Sequence, residues 1–223
     1  MECSQWLQGG PFLEVSFITE LKEKKSKAIQ AIISRLSKLT NKVEIVDKNV
    51  DEIIAFFERG YSFDEEDPHP IKLHSLRLRL YVNFPRKRKA TLQIETVSSN
   101  ALMVNFWFYG DEFDEPEWGQ IGIRKEEFTD FTSFFEELYS VYEFKIGAIA
   151  IEEDVLDLFD CGETYPNERY RFKNVSSDYL FKEPSRFINI IWNEMYNELS
   201  HIPYSYKRLD KEGILIDTRN HNE

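Results

Sequence analysis

A chain of 223 residues with 42% apolar and 15% aromatic side chains carries enough core-forming material to fold, and its 30% charged residues leave it far from the composition of a disordered segment. Two cysteines, Cys3 and Cys161, are too few for a disulfide framework and have no C-x-x-C spacing for zinc or redox work, and a Cys3–Cys161 bridge is not expected in a reducing compartment. The formal net charge of −12 sets the chain against a phosphate backbone, and residues 101–160 hold nearly all of it, with 3 basic against 16 acidic side chains.

The first unit reads as strand, helix, strand, helix. Phe12 to Thr19 is β-branched and aromatic, and Glu20 to Leu39 places Leu21, Ala28, Ile29, Ile32, Ile33, Leu36 and Leu39 on one helical face. Lys42 to Val46 is expected as a short strand returning beside the first, followed by a helix capped at Asn49 that stops at Gly60. The loop from Tyr61 to Pro70 holds the acid run Asp64 to Asp67 and two prolines, and an internal boundary, if the chain has one, falls at 61–70.

Leu76, Leu78, Leu80, Val82 and Phe84 then alternate with polar residues, the period of a strand with one buried face. Pro85 to Lys89 is read as a hairpin turn whose Arg86-Lys87-Arg88-Lys89 tip keeps a sheet edge soluble, since no basic stripe extends it into a phosphate-binding footprint. Thr91 to Val97 is the return strand, and Ala101 to Tyr109, apolar on both faces, is expected at the sheet centre. After an acidic loop and a short strand at Trp118 to Ile123, a helix from near Glu126 carries Phe128, Phe131, Phe135, Leu138 and Tyr142. Lys145 to Ile151 is a further strand, and Glu152 to Phe159 a short helix. A last helix is predicted from Pro184, with Phe187, Ile188, Ile191, Trp192, Met195 and Leu199 on its apolar face, and a hairpin is predicted around Asp210 to Gly213. The whole is expected to be a single α+β domain over 1–223, a mostly antiparallel sheet with helices packed on it and strand-helix-strand units in both halves.

Catalytic signatures are sparse. There is no G-x-S-x-G, Walker A or G-x-G-x-x-G sequence, and the acids beside Cys161 would raise its thiol pKa, so no nucleotide, cofactor or covalent chemistry is expected. His69 between two prolines reads as exposed, and His74 as a ring covering a strand edge. The carboxylates Asp111, Glu112, Asp114, Glu115 and Glu117 do not follow a calcium-loop register, so a metal is not expected, and a solvated loop or a partner-facing surface remain as readings. Phe113 and Trp118 interleave with these acids, the mixture of aromatic anchors and charged rim that protein interfaces use.

The stretch Val104-Asn105-Phe106-Trp107-Phe108-Tyr109-Gly110-Asp111-Glu112, followed by Trp118-Gly119-Gln120-Ile121-Gly122 and an aromatic helix, resembles the small acidic α+β immunity proteins that bacteria encode beside polymorphic toxins. It covers the middle third of the chain, and the Asp64 to Pro70 segment and the long C-terminal part depart from the pattern. The resemblance implies a cytosolic, non-enzymatic protein that blocks a basic protein such as a toxin by occlusion; separately, no apolar run approaches the roughly 18 residues that span a bilayer and the acidic lobe repels phosphate, so neither membrane nor direct nucleic-acid binding is expected. Two other classes stay open: an acidic nucleic-acid mimic that disables a host nuclease or defence protein, and a small hydrolase or transferase whose site would draw on residues such as His74 and Glu95.

Overall fold

The computed structural model describes residues 12–39, 43–64, 66, 69–83, 87–109, 127–159, 187–199 and 201–221. Strand β1 (Phe12–Glu20) leads into helix α1 (Lys25–Leu36), and β2 (Val43–Ile45) into helix α2 (Val50–Arg59). A small ribbon of β3 (Tyr61–Ser62) and β4 (Lys72–Leu73) precedes the meander β5 (Ser75–Asn83), β6 (Lys87–Ser98) and β7 (Ala101–Tyr109). Helix α3 (Phe128–Tyr142), β8 (Ile146–Ile151), a 3-10 turn at Val155–Leu158, β9 (Phe187–Asn193) and the hairpin β10 (Tyr204–Arg208) and β11 (Gly213–His221) follow. Nine of these strands form one sheet in the order β10-β11-β9-β8-β1-β7-β6-β5-β2, antiparallel at every pairing. The α+β class and the antiparallel sheet follow the sequence expectation.

Period-2 alternation sorts the strands between two cores. Leu13, Val15 and Phe17 of β1 join the apolar faces of all three helices, whereas Ile18 joins a second core under the 3-10 turn. In β7, Leu102, Val104, Phe106 and Phe108 face the helices, while Ala101 and Met103 face away. The helix-side core is held by rings: Phe106 meets Phe134 and Phe108 meets Phe131 edge to face at 5.5 and 5.1 Å, and Phe17 stacks on Phe144 at 4.6 Å. Such pairs add about 0.5–1.5 kcal/mol beyond area burial. The Tyr142 hydroxyl, its pKa raised by burial, donates to the Ile32 carbonyl at 2.7 Å and ties α3 to α1.

Four expectations need correction. The segment Phe187–Asn193 is strand, not helix, and is buried along its whole length, with Phe187, Ile190 and Trp192 in one core and Ile188 and Ile191 in the other. Strand β2 pairs with β5 at the sheet edge instead of returning beside β1. The predicted loop at 61–70 begins in the β3–β4 ribbon, entered through Gly60, whose φ of 66° suits a residue without Cβ. Finally, β6 begins at Lys87, so Arg88 is not at an exposed tip. Sharing the parity of Ala90, Leu92 and Ile94, it points to the helices, is 1% exposed, and pairs with the buried Glu127.

Candidate functional site

The predicted partner-binding residues Asp111, Glu112, Phe113, Asp114, Glu115, Glu117 and Trp118 lie outside the described residues, as does the strand expected at Trp118 to Ile123. The structure shows what brackets them. Before them the described chain ends at Tyr109 of β7, which pairs with Phe12, and after them it resumes at Glu127, which the Arg88 guanidinium holds at the start of α3. In the other acid run, Asp64 and Glu66 are exposed, and the Asp64 carboxylate accepts from the Glu66 backbone N–H at 2.9 Å.

Of the described acids from 127 to 157, Glu127 is buried, Glu143, Glu152 and Asp157 are exposed, and the others are half-buried, Asp154 with its carboxyl largely shielded from water. On α3, Glu136 meets Lys207 at 3.0 Å, and Glu143 meets Lys211, which sits in the turn of the β10–β11 hairpin. Beyond β8, Asp154 and Asp157 form a capping box around the 3-10 turn, the Asp154 carboxylate accepting from Leu156 N–H at 2.7 Å.

Burial pushes the Asp154 pKa up to about 7, and the charges of Asp157, Glu14 and Glu153 add to the rise, against the lowering effect of the Leu156 N–H. A carboxyl whose folded pKa lies above its unfolded value stabilises the fold when protonated, and that stabilisation is lost as pH rises through the folded pKa. Asp154→Asn keeps a capping acceptor and removes the charge. The variant is expected to be about 1–3 kcal/mol more stable than wild type at pH 8, below the ceiling of about 4 kcal/mol that the full shift would give because solvent reaches the half-buried residue, and nearly equal to it at pH 4. Urea midpoints at the two pH values check this, and equal stabilities at pH 8 would show that Asp154 ionises without penalty.

The face of the sheet opposite α1, α2 and α3 carries a polar array where β1, β7, β6 and β5 adjoin. Glu14, Asn105 and Gln93 are buried there, with Trp107 and Glu95 half-buried and Arg77 exposed. Register builds it: Gln93 lies opposite Asn105 across β6 and β7, and opposite Arg77 across β5 and β6. The Asn105 amide nitrogen donates to Glu14 at 2.5 Å, the Gln93 amide nitrogen donates to Glu95 at 3.0 Å, and the Arg77 guanidinium lies 4.8 Å from the Trp107 ring centroid. Burial raises the Glu14 pKa, against the opposing hydrogen bond from Asn105.

A site built on His74 and Glu95 does not assemble. Glu95 sits opposite Ser75 on the face away from α1, α2 and α3, whereas His74 shares the parity of the helix-facing Leu76, and its Nδ1 lies 2.8 Å from the Phe57 carbonyl of α2. The ring fills the space between α2 and the sheet, and His69 is exposed, as the sequence suggested. The array and the Arg88–Glu127 pair were both missed from the sequence. Their available signal was parity: Thr91, Gln93 and Glu95 place polar groups on one face of a strand whose other face is apolar.

Among the described residues no group of three or more His, Cys, Asp or Glu is placed to hold a metal ion, and no helix is long and apolar enough to cross a membrane. No protein-family model and no curated protein matches the chain. Among solved structures, it is similar to the Pseudomonas aeruginosa T6SS protein PA0821, at 10% identity and a TM-score of 0.37, over 93% of this chain and 65% of that one. The chain thus spans less than two thirds of that neighbour's length, and the fold rests on its own strand pairing.

Proposed function

We propose that this protein is a non-enzymatic inhibitor of the immunity type, which binds and neutralises a basic protein such as a toxin. The observation that carries the reading is the placement of charge: residues 101–160 hold a net −13, and the described acids of that stretch, Glu127 and Asp154 apart, are exposed or half-buried. Carboxylates concentrated on a surface steer a basic partner and repel phosphate, and the interleaved Phe113 and Trp118 supply anchors for a tight complex. The acidic-mimic alternative would use the same carboxylates against a nucleic-acid-binding protein.

The test begins by capturing the partner from the source cell and titrating its inhibition. Changing Asp111, Glu112, Asp114 and Glu115 to lysine is expected to abolish inhibition, since each substitution also presents a repulsive charge to a basic surface. The melting temperature should hold or rise slightly as like-charge repulsion is relieved. Association should slow as the Debye length falls from about 30 Å at 0.01 M salt to about 8 Å at physiological ionic strength. Full inhibition by a normally folded quadruple variant would remove this loop as the recognition site.

A further inference from the structure

The last turns of α1 and α3 share two adjoining cavities. One, of about 190 Å³, has the buried Ile18, Ala28, Ile32 and Leu102 at its floor, and the other, of about 450 Å³, is bordered by Lys38, Met195 and Lys211. Lys22, Arg35, Tyr142, Glu143 and Tyr196 line both, so the two form one cleft. Five cations border it, Lys22, Arg35, Lys38, Lys145 and Lys211, against three acids, Glu20, Glu23 and Glu143. This local positive excess lies in a chain whose formal net charge is −12.

Structural duties account for only part of the positive charge. Glu20 takes Lys22 at 3.0 Å and Lys145 at 2.8 Å, while Lys211 pairs with Glu143 and donates to the Ser140 carbonyl at 3.2 Å, which closes the end of α3. Arg35 and Lys38 pair with no carboxylate among the described residues. The end of α1 does not need them either. Its carbonyls at Ser34, Arg35 and Leu36 already accept from the Ser37 hydroxyl at 2.7 Å, the Lys38 N–H at 2.9 Å and the Leu39 N–H at 3.1 Å. The cleft therefore offers a guanidinium fork, the Lys38 ammonium and the part of the Lys22 ammonium that Glu20 leaves over.

Donors of this kind suit phosphate. A guanidinium meets two phosphate oxygens along one edge, and ammoniums approach the remaining oxygen as point charges. A phosphate monoester carries about −1.5 to −2 charge at pH 7, which matches the excess of five cations over three acids, whereas a carboxylate brings half of it. The negative charge of the whole chain disfavours a phosphate polymer, which many carboxylates meet at once, far more than it disfavours a single phosphate group.

We propose that this cleft binds a small phosphate monoester, its phosphate held by Arg35, Lys38 and Lys22 and its organic part seated over Ile18, Ala28 and Ile32. The site goes beyond the reading of the chain as a binder of a basic protein, since it gives the molecule a second, small ligand of opposite charge.

The test is a titration of the whole protein at pH 7.5 and constant ionic strength with phenyl phosphate, phenyl sulfate and benzoate, read by calorimetry and by backbone 1H–15N NMR. Phenyl phosphate is expected to bind saturably at millimolar concentration or below, with shifts centred on Lys22, Arg35, Lys145 and Tyr196. Phenyl sulfate, of the same shape with a single charge, and benzoate are expected to bind at least about tenfold more weakly. Arg35→Gln and Lys38→Gln, both at exposed positions, should fold normally and each weaken phenyl phosphate by about fivefold or more. Lys27→Gln removes the same charge from an exposed position of α1 that borders neither cavity, and should leave the affinity unchanged. No saturable binding, equal binding of the sulfate or of benzoate, shifts centred elsewhere, or an equal loss in Lys27→Gln and Arg35→Gln would each overturn the proposal.

Discussion

Arg88→Ala is expected to cost the fold about 3–5 kcal/mol, the range found when one member of a buried ion pair is removed. Arg88 lies on the helix side of β6, paired with Glu127, with its guanidinium 5.4 Å from the Phe131 ring centroid. Alanine removes the charge and much of the packing, and leaves the Glu127 carboxylate buried at the first turn of α3 without its cation. Much of the loss is therefore the penalty on the partner left behind, and a double variant should show this. Arg88→Met combined with Glu127→Leu is expected to recover most of the stability, because apolar residues of similar volume replace buried ion pairs at little net cost. Urea unfolding of the three proteins checks both statements. A loss below about 1 kcal/mol in the single variant would mean that water reaches the pair.

Phe135→Ala and Trp192→Ala are each expected to destabilise by about 3–5 kcal/mol, as truncation of large buried aromatics does. Phe135 is fully buried, stacks on Phe144 at 5.7 Å, and lies so close to Gly147 that a Cβ added there would come 3.0 Å from its ring. Trp192 fills the opposite core and donates its indole N–H to the Asn197 carbonyl at 2.6 Å, a bond that alanine also removes. The two residues lie on opposite sides of the sheet, so their losses should be nearly additive in a double variant. Denaturant melts that show less than about 1 kcal/mol for both would contradict the core assignment on each face.

The parts of this fold that were legible in the sequence are those with one buried face. Helix α1 and strand β5 show clean periods of 3.6 and 2 because the opposite side of each meets water. Strand β9 was misread for the complementary reason. Its residues are buried on both sides, so Phe187, Ile188, Ile191 and Trp192 satisfy helical spacing while every position between them is also interior. The three isoleucines within Phe187–Asn193 were the available counter-signal, since β-branched side chains favour strands. Arg88 was hidden by its neighbours: in a run of four basic residues nothing local marks the one that turns inward, and only the parity it shares with Ala90 and Leu92 does so. The polar array was hidden by distance in the chain. Glu14 and Asn105 lie 91 positions apart and become neighbours only through the pairing of β1 with β7.

That pairing also sets the order in which the molecule can be assembled. β5, β6 and β7 are consecutive hairpin partners, so they can zip together from short loops as soon as they exist. β1, the first strand described, has both its neighbours far downstream: Leu13 lies opposite Phe108 on one side and Ile151 on the other. During synthesis the apolar run Val15 to Ile18 must wait until β7 has emerged before one edge is covered, and until β8 has emerged before the second is. Completing the sheet around β1 is thus a closure of very high sequence separation, which places this protein among slow folders whatever its final stability. The strand that ends up at the centre of the sheet is the one that stays longest available to chaperones and to wrong partners on the way there.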